Sequence, residues 1–305
     1  MRITARGPAV GVAVLAPVLL LAVTGCSSGS DDGGDSGSEL LTGLGSLAGD
    51  TGTKRVTFLD AAAVRKLSKD DAERFASVSQ PSSVLLSPYE PGLLGKDFEV
   101  SHIATAVDTD EAGHWEGSFD TRAVITSLKS KGYKQSGSDD EEVWSHPGNK
   151  GVSLQVSEDE ISYSARESDP MAAVAPKKGS SLADDKDFGR AAACLGDDVY
   201  RADFSPSSDP GPVLMAAAGQ RAASAAEHTE VLCFVVEDDA AAKSLESKLR
   251  EVVRAEAPKF DGAKVTVQKG DRPVVRAVVP DTATQRPGRL ILTDMELWTT
   301  ATTAE

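Results

Sequence analysis

The stretch Glu230–Val253, EVLCFVVEDDAAAKSLESKLREVV, decides how this chain folds. It opens with the most hydrophobic run in the folded part, rich in the β-branched and aromatic residues that strands favour. Asp238 or Asp239 then offers a carboxylate to the free amides of a helix start. Beyond it Leu245, Leu249, Val252 and Val253 recur at helical spacing. Glu246 and Arg250 form an i,i+4 pair on the exposed side. The reading is a strand, an Asp cap and a helix to about Glu256.

The same junction occurs twice more, in FLDAAAV (58–64) and SFDTRAV (118–124). After SFDTRAV a helix over Thr121–Lys131 presents Val124, Ile125 and Leu128 on one side, and Gly132 ends it. Short alternating segments follow, VWS within EEVWSHP, then GVSLQVSED and EISYSAR, each bounded by turn residues and so read as antiparallel strands. After the Glu230–Val253 stretch, AKVTVQKG and RPVVRAVVP form a hairpin across Gly270-Asp271. VTF (56–58), SHIATAVDT, GHWEGSFD, VYRADF and VLMAAAG are further strands, and residues 181–198 read as a helix with Phe188, Ala192 and Leu195 on one side. The end, Gly288–Trp298, fits a helix or a strand. The expected class is α+β: two halves, 54–168 and 169–305, each with helices packed on a largely antiparallel sheet. The shared order suggests a diverged duplication. Convergent use of Asp at helix starts is the competing reading.

Upstream, the chain changes character. Arg2 and Arg6 precede an uncharged run, Ala9–Thr24, which is too short and too interrupted by Pro17 to span a membrane. It fits the apolar part of a secretory signal over residues 1–25. Residues 26–53 are mostly Gly, Ser, Asp and Thr without Lys or Arg, a composition expected to form a flexible tether. Leu40, Leu41, Leu44 and Leu47 interrupt it, either docking on the body or forming a frayed turn.

Val23-Thr24-Gly25-Cys26 resembles the bacterial lipobox. The resemblance implies diacylglyceryl modification of the Cys26 thiol, cleavage before it, and a lipid anchor on the extracytoplasmic face of the cell membrane. Val23 stands where the usual pattern has leucine. Two or more acyl chains hold a protein durably, at about 0.8 kcal/mol per buried methylene. The layout from Arg2 to Thr53, and SFDTRAVITSLKSKGY followed by EEVW, resemble uncharacterised actinobacterial lipoproteins.

The 305 residues carry a formal charge of −15. Removing residues 1–25 takes two arginines, leaving 30 bases against 47 acids, or −17, which disfavours nucleic acid as a partner. Charge is uneven: residues 99–170 hold 15 acids and 6 bases, whereas residues 243–289 hold 11 bases and 6 acids. With Cys26 committed to lipid, Cys194 and Cys233 remain; export favours a disulfide, and two buried thiols are the alternative.

No linear motif of a serine hydrolase, zinc protease, phosphate loop or dinucleotide site occurs, so neither a catalytic residue nor a cofactor is expected. His102, His114, His146 and His228 never share a helix face, and no metal-ligand spacing is present. Asp108, Asp110 and Glu111, and Asp139–Glu142, could attract calcium but read better as solvated turns. Trp115, Trp144 and Trp298 are the residues to watch for a ligand groove. The sequence points to a membrane-anchored, non-enzymatic module that binds a small ligand or another envelope protein. A hydrolase with a scattered site is the alternative. An apolar groove without titrating residues would favour binding, and a cleft joining a His, a carboxylate and a nucleophile would favour the enzyme.

Overall fold

The computed structural model describes residues 38–49, 53–86, 92–137, 142–148, 151–166, 169–208 and 210–303. The chain runs α1 (Glu39–Gly45), β1 (Val56–Asp60), α2 (Ala61–Ser68), α3 (Ala72–Phe75), β2 (Ile103–Thr109), β3 (Ala112–Gly117), α4 (Thr121–Ser130), β4 (Lys134–Ser136), β5 (Val143–Ser145), β6 (Ser153–Val156) and β7 (Glu160–Ser164). It continues through α5 (Lys186–Leu195), β8 (Val199–Pro206), β9 (Val213–Ala222), β10 (His228–Val236), α6 (Asp239–Ala255), β11 (Lys264–Gln268), β12 (Val274–Asp281), α7 (Arg289–Leu292) and α8 (Glu296–Thr302).

The α+β class holds, and the two halves share one sheet. Its strand order is β11-β12-β10-β9-β8-β1-β2-β3-β7-β6-β5-β4, with every neighbour antiparallel. The halves meet where β1 pairs with β8. On either side of that seam a three-strand meander is followed by a helix, and later strands return to pair on the third. The three Asp junctions are caps as read. Asp60 accepts from the Ala63 amide at 2.7 Å, Asp120 from Ala123 at 2.9 Å and Asp238 from Ala241 at 2.8 Å. The ambiguous C-terminal segment is helical, as α7 and α8.

Alternation along the strands divides the core between the two faces. On one face α1 and α5 cover Val56, Phe58, Phe204, Ala217, Val231, Cys233 and Val235. On the other, α6 and α8 cover Leu232, Phe234, Val236 and Val275, while α4 packs with Ile103, Trp115, Leu154 and Ile161. Between those two patches α2 and α3 seal Leu59, Val64, Phe75 and Tyr200. Cys194 of α5 and Cys233 of β10 are joined in a buried disulfide, with Cα atoms 6.1 Å apart.

One expectation needs correction. Residues 38–47, read as part of the tether over 26–53, pack on the body instead: the Ser38 hydroxyl caps α1 by accepting from the Leu41 amide at 3.3 Å. Leu40, Leu44 and Leu47 are buried in the core, and Gly43 lets the helix settle where a Cβ would overlap Val107. The leucines are spaced to cover one side of a short helix, and their burial outweighs the low propensity of the surrounding Gly and Ser.

Candidate functional site

At one end of the second half, the first turns of α6, the helix α8 and the β8–β9 connection enclose a groove of about 530 Å³. The sequence places each wall. Leu297 and Ala301 turn α8 onto the sheet. This leaves Trp298 at its margin, half-buried, with its ring centroid 6.0 Å from that of Phe234. Leu245 and Ala241 come from the inward side of α6, and Val236 and Ala216 form the floor. Pro206, Pro212 and hydroxyls such as Ser244 and Thr302 make the rim. Among the described lining residues Lys248 is the one charged group. The volume lies in the range of small-molecule sites, and the chemistry is that of an apolar slot with hydroxyl edges.

At the other end of β10 lies a sealed polar cluster. The Tyr200 hydroxyl is 2.6 Å from His228 Nε2, and His228 Nδ1 is 2.5 Å from Asp281 Oδ2. Arg289 Nε donates to Asp281 Oδ1 at 2.7 Å, and Arg289 Nη1 donates to Asp294 Oδ2 at 2.9 Å. Glu230 accepts from the Arg289 and Leu290 amides at 2.9 and 3.2 Å, so its side chain caps α7 from the neighbouring strand. Arg74 reaches in from α3 and donates to the carbonyls of Ala225, Thr282 and Gln285. Burial pushes the Glu230 carboxyl well above the usual carboxylate range, and the Asp281 charge adds to the rise. Burial likewise raises the Tyr200 phenol far above its ordinary value, the wrong direction for a nucleophile. The His228 and Asp281 side chains have no solvent exposure, so the hydroxyl–imidazole–carboxylate order is closed to a substrate.

A second row crosses the sheet centre. Asp203, Thr57 and Asp108 stand side by side on β8, β1 and β2, all buried. Asp108 Oδ1 accepts from Trp115 Nε1 at 2.9 Å and from the Tyr163 hydroxyl at 2.6 Å. Burial lifts its carboxyl from 3.8 to about 7, against the opposing pull of those hydrogen bonds. A Cβ at Gly113 would overlap both Asp108 and Tyr163, so glycine keeps the space this contact occupies.

The open face of the first half carries a third grouping. His114 Nδ1 lies 2.9 Å from Ser162 Oγ and 3.3 Å from Glu160, with Glu116 3.9 Å from Nε2. The Ser162 hydroxyl donates a hydrogen bond to Glu160 at 2.7 Å and the residue is 1 % exposed, so its oxygen is neither activated by the histidine nor presented to a substrate.

The structure disperses the other sequence candidates. Trp115 and Trp144 are core residues, so of the three tryptophans only Trp298 borders the groove. His102 is exposed, and His146 packs edge-on against Tyr133 with ring centroids 5.7 Å apart. Asp108 turns inward, away from Asp110 and Glu111, and Glu111 pairs with Arg166 at 3.2 Å. Among the described residues no three His, Cys, Asp or Glu side chains are arranged to hold a metal ion. Asp139, Asp140 and Glu141 lie outside the described residues, as do Val23, Thr24, Gly25 and Cys26. No described helix is long and apolar enough to cross a membrane. Sequence reasoning missed the Tyr200–His228–Asp281–Arg289 alignment, since its members are separated by up to 89 residues and share no local pattern. Comparison with protein-family models, curated proteins and solved structures finds no match to this chain.

Proposed function

We propose that the protein is a lipid-anchored module on the extracytoplasmic face of the cell membrane that binds a small, mostly apolar ligand in the Trp298 groove. The observation that carries the reading is the groove's lining: apolar side chains and hydroxyls, with Lys248 the single charge among the described residues. Such a site offers contact area and a few orienting hydrogen bonds and, among the described residues, no acid–base pair for turnover. The sequence supports the anchor through Val23-Thr24-Gly25-Cys26, with Cys26 carrying the lipid. Another envelope protein inserting an apolar side chain would meet the same chemistry. The His114–Ser162–Glu160 grouping is what speaks for a hydrolase instead. Its buried serine is set for structure.

Two measurements test the proposal on full-length protein purified from membranes in detergent. Intact-mass spectrometry should give a diacylglyceryl-modified chain beginning at Cys26; an unmodified chain removes the anchor. Fluorescence titration with N-phenyl-1-naphthylamine should saturate at one site per chain and weaken about tenfold or more in Trp298→Ala, the scale of losing one large aromatic contact. Equal binding by both proteins removes the groove, and turnover of a chromogenic ester dependent on His114 would transfer the function to the open sheet face.

A further inference from the structure

We infer that Glu230, Asp281, Arg289 and Asp294 form a proton-operated latch that holds α7 and α8, and with them the Trp298 wall of the groove. The argument starts from charge and position. Two carboxylates, Asp281 and Asp294, hold the Arg289 guanidinium, and a third, Glu230, holds the backbone amides of Arg289 and Leu290. Two of the three are shut away from water: Glu230 is 1 % exposed and the Asp281 side chain 0 %. In a low-dielectric interior adjacent like charges repel strongly, and a bound proton is the cheapest neutraliser. Glu230 faces His228 from its own strand, Tyr200 from β8, Asp281 from β12 and Arg289 from α7; Arg74 closes the cluster from α3. Lys259, bonded to Glu296 and 4.0 Å from Asp294, continues the chain to the start of α8.

Mechanical connection follows from the same contacts. Glu230 grips the first two amides of α7, and Arg289, the first residue of that helix, ties Asp281 to Asp294. Asp294 lies two residues before α8, whose third residue is Trp298. Phe234, the ring against which Trp298 packs, sits on the same side of β10 as Glu230, four residues on. Arg289 Nη2 and Gln220 Oε1 are buried without a hydrogen-bond partner among the described residues, so entering water would find polar groups to satisfy there. The two amide bonds favour the charged carboxylate, whereas burial and the Asp281 charge favour the neutral one and outweigh them. With Glu230 neutral, its remaining acceptor capacity keeps α7 in place and the wall is fixed. When it ionises beside Asp281, the repulsion is relieved by lifting α7 to admit water, and α8 moves with it.

The consequence for the groove rests on the binding reading; the latch itself does not. Full-length protein carrying 5-fluorotryptophan gives three ¹⁹F resonances, with Trp298 assigned by Trp298→Phe. Between pH 5.5 and 9, the Trp298 resonance should titrate with a midpoint about two units or more above that of an exposed glutamate. Glu230→Gln should abolish that titration and leave any titration of Trp115, which bonds Asp108, in place. A flat Trp298 resonance, or one that still titrates in Glu230→Gln, overturns the latch. Asp294→Asn, at the partly exposed end, should move the midpoint, and an unmoved one also counts against it. Naphthylamine affinity should fall about threefold or more from pH 6 to pH 9, and not in Glu230→Gln. A probe that never binds while Trp298 titrates sinks the binding reading and keeps the latch. A probe that binds equally at both pH values beside a flat resonance does the reverse.

Discussion

Replacing Asp108 by Asn isolates the cost of an ionisable group at the centre of the sheet. The side chain is buried, and one of its oxygens accepts from both Trp115 and Tyr163. The amide oxygen of Asn can accept the same two bonds, and its NH2 group can face the Ser83 hydroxyl, which bonds Tyr163 at 2.7 Å. What changes is titration. Asp108 moves from 3.8 to about 7 on folding, so the folded state holds the proton more tightly than the unfolded chain. Its stabilising contribution is complete below the unfolded value and is lost as pH rises to about 7. At about 1.4 kcal/mol per unit, the loss is on the order of 4 kcal/mol as an upper bound, since relaxation and entering water reduce it. Urea unfolding at intervals from pH 4 to pH 8.5 reads the difference directly. Wild type should lose more stability than Asp108→Asn over that span, and the variant should be the more stable of the two at pH 8. Parallel curves, or a variant weaker at every pH, would refute the reasoning. Asp108→Ala is the control: it leaves the Trp115 and Tyr163 donors without their acceptor and should be destabilised throughout.

Two further perturbations address the core. Cys194→Ala with Cys233→Ala should lower unfolding free energy by about 4 kcal/mol on the chain-entropy account, because the bridge closes a separation of 39 residues, and denaturant titration of oxidised wild type against the variant measures it. Leu44→Ala should cost about 2–5 kcal/mol in the same assay, since the side chain is fully buried against the sheet; a neutral outcome would return α1 to the tether.

Much of the fold was legible because the signals that made it are local. An Asp before an apolar-periodic run is a capping device wherever it occurs, and at residues 60, 120 and 238 the carboxylate does what the pattern implies. β10 announces itself by its apolar length: Leu232, Phe234 and Val236 face one core while Val231, Cys233 and Val235 face the other. β4 went unread, because Lys134–Ser136 is an exposed edge strand with no buried face to leave a pattern. α1 was legible in its leucines and obscured by its neighbours; propensity set against burial is decided by contacts outside the segment, here with Phe58 and Val107. The groove was visible only as one tryptophan among three, since its walls come from elements more than 90 residues apart. The buried acids are the hardest class to read. Asp108 looks like a member of an acidic loop until β3 and β7 bring Trp115 and Tyr163 to it.

The C-terminal segment differs from the rest of the fold in what holds it, and that difference locates motion. β8, β9, β10 and β12 are held by ladders of seven to nine paired positions, with apolar cover on both faces. α7 is four residues long, and α8 inserts only Leu297 and Ala301 fully into the core. A helix of that length cannot sustain itself, so its place depends on the buried Leu290, on Glu230 at its amides and on Arg289 between two carboxylates. Buried ion pairs add little net stability but are costly to leave half-made. Local opening concentrates where apolar burial is thin and charge does the holding. The groove is bounded by this segment on one side and by the long, well-packed α6 on the other. Local opening at the groove should thus fall on the Trp298 side.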